Sequence, residues 1–383
     1  MDYGPASTPV WPDRSRTMTA TAPLVSERLC GQLQQAITTL SWSADGEFLA
    51  IASAGGELLL LDFRAGCEEL LRGDRDSSLN AIGFSADGQF LMAVGQASEL
   101  LLWELGETAV RPMALEPVPL GAGWLDAAAW QPRGMLLAVA AGRQVRLWDG
   151  AVREWRPECL DMPGTVQAVA WSADGRRLAA SCHGELALWQ PDAATAATPL
   201  RAPTGSAGLV LGFPPIGDLL ACGQMDRSLL LWPEAGQGRP WQFSGFPAKV
   251  RALAWSDQPG RLAPALAVAS GDTVVLWQQR NRSQQGWKPE PLLWHQQRVH
   301  ALAFAPESSL LASASADGTV ALWDGRGRMR QPLEGEGQGF QALAWRPDGR
   351  HLAAGGDQGR WWLWPVEVPS TERQRRSGGA GFG

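Results

Sequence analysis

Lysine and tyrosine are almost missing from this chain. Lys249 and Lys288 are the only lysines among 383 residues, and Tyr3 is the only tyrosine. The arginines that replace lysine read as a bias of composition, not as a site. With 33 basic against 39 acidic side chains the formal net charge is −6, which opposes bulk attraction to nucleic acid or an anionic membrane. Cysteine is sparse. Cys30, Cys67, Cys159, Cys182 and Cys222 lie far apart, an odd number with no CxxC spacing. That pattern suits free thiols in a reducing compartment better than a disulfide framework. No apolar run approaches the ~18 residues of a membrane span. The opening segment MDYGPASTPVWPDRSRTMTATAP lacks the apolar stretch of a secretory signal, so the expected location is the cytoplasm.

Catalytic signatures are missing as well. There is no GxSxG elbow, no GxxxxGK[ST] loop and no HExxH pair. Cys182 and His183 are adjacent, a poor geometry for one metal ion, and no second Cys/His cluster accompanies them. No metal and no cofactor are expected.

What is present is tryptophan, 20 copies of it, in a chain 45% hydrophobic and 19% charged. One aromatic recurs: Trp42, Phe84, Trp130, Trp171, Phe213, Trp255, Phe304, Trp345. A second landmark follows each: Leu61, Trp103, Trp148, Trp189, Trp232, Trp277, Trp323, Trp364. The two are 18 or 19 residues apart, or 22 in the sixth repeat, and successive repeats start 41 to 49 residues apart. Within each repeat apolar residues alternate with small or polar ones, the period of a β-strand. Asp-Gly turns follow the first strand, as at Asp45-Gly46, Asp87-Gly88, Asp174-Gly175 and Asp348-Gly349. Glycine there supplies the positive φ of a tight hairpin. Small residues alternate along the first strands (Ala168 and Ala170, Ala301 and Ala303), as expected where sheets converge on an axis. Large ones between them (Val169, Leu253, Leu302, Leu343) are expected to fill the core between sheets. Outer fourth strands are expected at Trp155–Leu160 and Leu292–Trp294.

Repeat seven, with Val299–Phe304, Leu310–Ser315 and Asp317–Asp324, closely resembles the WD40 repeat, and the resemblance covers about residues 24–366. It implies an all-β fold, an eight-bladed β-propeller in which each small sheet is covered by its neighbours. The eighth repeat has only three strands, so Leu24–Cys30 is expected to pair with Arg360–Trp364 and close the ring. Residues 1–22 are then a disordered N-terminal segment, residues 23–367 the propeller, and residues 368–383 a disordered basic, Gly-rich tail. Met18 is a candidate true start.

In this family a His, a Ser or Thr, an Asp and the terminal Trp form a hydrogen-bond network. Repeat seven alone has the full set: His295, Ser313 or Ser315, Asp317 and Trp323. Repeat one has Leu61 in place of the Trp, and repeat four has His183 in place of the Asp. Four residues before each first-strand aromatic stand Thr38, Asn80, Asp126, Gln167, Leu209, Arg251, His300 and Gln341, seven of them polar. By resemblance they ring the narrow-face mouth of the channel, where a protein or peptide partner docks. The plain alternative is that strand ends are wet. Trp155, Trp241, Trp287 and Trp294 fall near outer strands, where they either pack or form an interface. The favoured function is a non-catalytic scaffold holding a protein partner. The rivals are a small-molecule enzyme using Asp126 and His300 in the channel, and a nucleic-acid-associated protein.

Overall fold

The computed structural model describes residues 24–25, 28–106, 110–113, 123–192, 198–234, 238–258, 263–281, 283, 286–335, 337 and 339–367. The flanking segments expected at 1–22 and 368–383, and Met18, lie outside them. The described residues form 31 strands and no α-helix. Neighbouring strands within these sheets run antiparallel, and each sheet is open, not closed on itself.

The repeat seen in the sequence is a sheet of four strands. In repeat one these are β2 (Ile37–Trp42), β3 (Phe48–Ser53), β4 (Leu58–Asp62) and β5 (Cys67–Arg72), paired in that order. Repeats two, three, six and seven have the same order. Repeats four and five run together in one seven-stranded sheet. Their shared strand, β17 (Leu200–Gly212), serves as the outer strand of one and the first strand of the next.

The hairpin after the first strand is held by its own side chains. Ser172 Oγ donates to Asp174 Oδ1 at 2.6 Å, the Arg176 amide donates to the same oxygen at 3.0 Å, and Gly175 takes a left-handed φ of 73°. The hydroxyl and amide donors hold the Asp174 carboxyl below the usual carboxylate range. Ser43 with Asp45 and Ser85 with Asp87 repeat the arrangement. These acids are turn fasteners, repeated from sheet to sheet.

The core is divided among the faces between sheets. Eight hydrophobic clusters among the described residues each draw on two consecutive repeats. One of the eight joins Ala342, Ala353, Trp361 and Leu363 of repeat eight to Ile37, Leu40, Leu49 and Ile51 of repeat one. Small and large residues of a first strand serve opposite faces. Val169, Leu253, Leu302 and Leu343 pack toward the preceding repeat. The alanines face the following one. The reason is the next repeat's landmark: Trp171 Nε1 donates to Ala129 O at 2.9 Å, and Trp130, Trp255, Trp345 and Trp42 donate likewise to Gly83, Gly212, Ala303 and Ala344. A side chain larger than alanine would block that approach. A Cβ on Gly212, for example, would lie 2.5 Å from Leu253 Cδ1.

Two strand expectations need correction. The strand that completes the eighth sheet is β1 (Leu29–Gln32), not Leu24–Cys30. It pairs with β31 (Arg360–Pro365) in the register Leu29 with Leu363, Cys30 with Trp362, Gly31 with Trp361 and Gln32 with Arg360. The register follows from Gly31, whose missing Cβ would stand 2.3 Å from the Trp361 ring. Leu24 is anchored elsewhere: it is buried, Gln331 Oε1 accepts its amide at 2.6 Å, and its carbonyl accepts from Glu367 N. In the sixth repeat the outer strand is β24 (Trp287–Leu292), so Trp294 lies beyond it. The Trp155–Leu160 segment falls within β13 (Glu154–Asp161).

Candidate functional site

The polar residues at the first-strand ends owe their placement to a fault in the strand. In repeats one, two, six, seven and eight the pairing skips one residue: Thr38, Asn80, Arg251, His300 and Gln341. In repeat five it skips Leu209. Each is the extra residue of a β-bulge, which bends the strand and re-aims one side chain. The cause lies in the apolar spacing. Ile37, Leu40 and Trp42 share one cluster although they are spaced by three and then two, and Val250, Leu253 and Trp255 do the same. A regular strand would turn the first of them to the opposite face. One inserted residue restores it to the core and leaves the inserted residue outside. Asp126 and Gln167 are exposed just before the shorter first strands β10 (Ala128–Trp130) and β14 (Ala168–Trp171).

These side chains are partly linked. Asn80 Nδ2 donates to Asp126 Oδ1 at 2.7 Å, bridging repeats two and three, and Ser78 Oγ donates to Asn80 Oδ1 at 2.8 Å. Thr38 Oγ1 donates to Leu79 O at 2.5 Å. Burial, followed by the charge of Arg298, lowers the pKa of His300, and the nearby Asp357 opposes the shift. The shift favours the neutral imidazole. Among the described residues no hydrogen bond or ion pair joins Asp126 to His300, the two groups the enzyme reading needs. Beside Asp126 stands Trp124, 62% exposed, which fits neither landmark position. Its only sequence signal was that misfit, a tryptophan in a repeat already holding its full set.

The structure brings His295, Ser313, Asp317 and Trp323 together. Asp317 Oδ2 lies 3.0 Å from His295 Nδ1, His295 Nε2 lies 2.8 Å from Ser313 Oγ, and Trp323 Nε1 donates to Ser313 Oγ at 2.8 Å. Ser315 is not in this chain; its hydroxyl donates to Gln297 O. One proton arrangement satisfies every group: Trp323 N–H to Ser313, Ser313 O–H to Nε2, and Nδ1–H to Asp317. Burial disfavours charge on Asp317, yet the His295, Thr319 and Gln296 donors outweigh it and hold the carboxyl far below its ordinary range. Ser, His and Asp in this order also make a hydrolase triad. Here Ser313 is 0% exposed and its oxygen is already occupied by an indole, so no substrate carbonyl reaches it.

The outer-strand tryptophans are packed. Trp287 is buried against Trp255 with ring centroids 6.1 Å apart, and Trp155, Trp241 and Trp294 lie against apolar clusters. His183 is exposed at the start of β16 (His183–Trp189). No group of three or more His, Cys, Asp or Glu among the described residues is placed to hold a metal ion.

Stacked four-stranded antiparallel sheets with a buried landmark tryptophan define a repeat protein of the β-propeller class. The model of the WD domain, G-beta repeat, matches residues 290–324 and 327–365. Those two repeats match the WD40 model, and the chain as a whole resembles WD40-repeat proteins. It is 28% identical over 158 residues to the chromatin assembly factor 1 subunit FAS2 homolog of Oryza sativa subsp. japonica, covering 38% of this chain and 31% of that protein. It is 31% identical over 116 residues to THO complex subunit 3 of Arabidopsis thaliana, covering 30% of this chain and 36% of that one. The matches thus span about a third of each curated relative's length. Among solved structures, Chaetomium thermophilum Sqt1 bound to the N-terminus of the ribosomal protein L10 superposes with a TM-score of 0.72 at 16% identity, over 87% of this chain and 97% of that one. The computationally designed Ika8 protein gives 0.69 at 20% identity, over 88% and 98%.

Proposed function

We propose that the chain is a closed, eight-bladed propeller acting as a non-catalytic scaffold, with a protein or peptide held on its narrow face. The observation that carries this reading is the bulge at the start of the first strands. In repeats one, two, six, seven and eight it sets one polar residue outside the core at the same end of the sheet. Gln167, Arg251, His300 and Gln341 make no side-chain hydrogen bond among the described residues, so they are free to meet a partner. Thr38, Asn80 and Asp126 supply a linked polar rim, and Trp124 supplies the large apolar contact typical of an interface hot spot. Packing of repeat eight on repeat one supports the closed ring. The structure of Sqt1 with the L10 N-terminus supports a peptide or protein as ligand. The cytoplasm is the proposed location.

The test is affinity purification from the native cell with the wild-type chain as bait. A stable protein partner retained by the wild type should be lost with Trp124→Ala and with Arg251→Ala plus His300→Ala. Both variants should keep the wild-type thermal midpoint, since these side chains are exposed or half-buried. A partner held equally by all three baits would overturn the narrow-face reading.

A further inference from the structure

The joint between repeats eight and one differs from the others. In the other seven repeats a third-strand tryptophan seals the face toward the preceding repeat, as Trp103 does between repeats one and two and Trp148 between two and three. Repeat one carries Leu61 at that position. A cleft of about 840 Å³ opens there, with Leu59, Leu61, Phe63 and Trp361 in its lining. Its two rims are β1 and β5, the terminal strands of their sheets. Leu29 on one rim and Leu70 on the other are each 54% exposed. The register accounts for this: Leu29 pairs with Leu363, and Leu70 with Leu59, so both lie on the face that carries the joint's core.

The charge lining the cleft has one sign. Glu57, Asp62 and Glu68 are in the lining, and among the described residues no Lys or Arg is. Glu57 accepts from Ser53 and from the Gln34 amide, and Asp62 accepts from the amides of Arg64 and Ala65. Glu68 has no such partner among the described residues, and it pairs with Leu61 across the ladder, on the cleft side. Two cations stand at its margin: Arg64 lies over Phe48 with its Nε 3.9 Å from Asp62 Oδ1, so Asp62 is already paired, and Arg360 lies over Trp362 and donates to Cys30 Sγ.

We propose that this cleft is a second docking site, separate from the narrow face, for a linear protein segment with a bulky apolar residue flanked by Arg or Lys. The apolar residue enters where other repeats keep their own tryptophan. The basic flanks meet Glu68 and its acidic neighbours. An extended segment suits the place because both rims are sheet edges, whose outer backbone groups can pair with an added chain.

The test uses two capped, fluorescein-labelled peptides, Arg-Leu-Trp-Leu-Arg and Glu-Leu-Trp-Leu-Glu, titrated with the full chain by fluorescence anisotropy. The basic peptide should bind at least about tenfold more tightly than the acidic one. Leu61→Trp, which fills the cleft, should weaken the basic peptide by about tenfold or more without lowering the thermal midpoint. Leu29→Asp on the exposed rim gives the same test without touching the core. Glu68→Gln should narrow the preference between the peptides. Equal binding of both peptides, or undiminished binding by Leu61→Trp and Leu29→Asp, would overturn the proposal. So would a dimer of the free chain that Leu29→Asp dissolves, since the cleft would then belong to a second copy. None of these readouts depends on Arg251, His300 or Trp124.

Discussion

Repeat seven and repeats three, five and six place a tryptophan at the same point of the same sheet and treat its N–H differently. Trp323 donates to Ser313, which joins it through His295 to Asp317. Trp148, Trp232 and Trp277 are as deeply buried, and their indole N–H groups have no partner among the described residues. An unpaired buried donor costs about 1–3 kcal/mol. The ring is retained at that cost because its apolar area and its fit are worth more. Trp148, for example, meets Phe90 edge-on at 5.6 Å and Trp130 at 5.9 Å. The comparison separates two jobs of one residue: filling the joint, common to all these repeats, and locking the turn by hydrogen bonds, which repeat seven adds.

The largest effect expected is on filling. Trp148→Ala should destabilise the chain by about 3–5 kcal/mol, as buried aromatic truncations do. Trp323→Ala should cost at least as much, because it also leaves Ser313 without its indole donor. Denaturant titration of both variants checks this. A smaller loss for Trp323→Ala would break the distinction between the two kinds of repeat.

The acid side of the network gives the next effect. The folded pKa of Asp317 lies below the ordinary carboxylate value of about 3.9, so its charged form stabilises the fold above about pH 4. That contribution is lost as pH falls through the depressed folded value. The stability gap between wild type and Asp317→Asn should therefore hold steady from pH 7 to 5 and shrink as the pH falls below about 4. A gap independent of pH would mean that the carboxylate's charge plays no part in the lock.

Much of this architecture was legible in the sequence because tryptophan spacing and Asp-Gly turns are local signals. The network residues were legible through the resemblance to the WD40 repeat, which implies a His, a Ser or Thr and an Asp to go with Trp323. The bulges were present in plain view, as the three-then-two spacing of Leu79, Ile82 and Phe84 or of Phe340, Leu343 and Trp345, but a simple period of two passes over them. The closing strand was displaced because its register is set by the Trp361 ring against Gly31, a contact between the two ends of the repeat array. The cleft was half legible. Leu61 stood out as a missing tryptophan, yet nothing along the chain showed that β1 would leave the space open instead of filling it. Trp124 and the pairing of Asn80 with Asp126 depend on two repeats meeting, which no single repeat records.

The smallest effect divides the two kinds of repeat most sharply. Trp→Phe keeps most of the apolar ring and deletes only the N–H and part of the ring volume. In repeat seven, Trp323→Phe removes the Ser313 donor and should cost about 1 kcal/mol for the hydrogen bond, above the cost of lost volume. In repeat five, Trp232→Phe loses similar volume but also removes a buried donor that had no partner, which offsets the loss. Trp171→Phe is the internal standard, since its N–H bonds the neighbouring repeat at Ala129 and should behave like Trp323. Measured in urea, Trp232→Phe should be the least destabilised of the three by about 1 kcal/mol. Equal losses in all three would mean that the indole N–H counts the same with and without a partner, and that volume alone sets the stability of every joint.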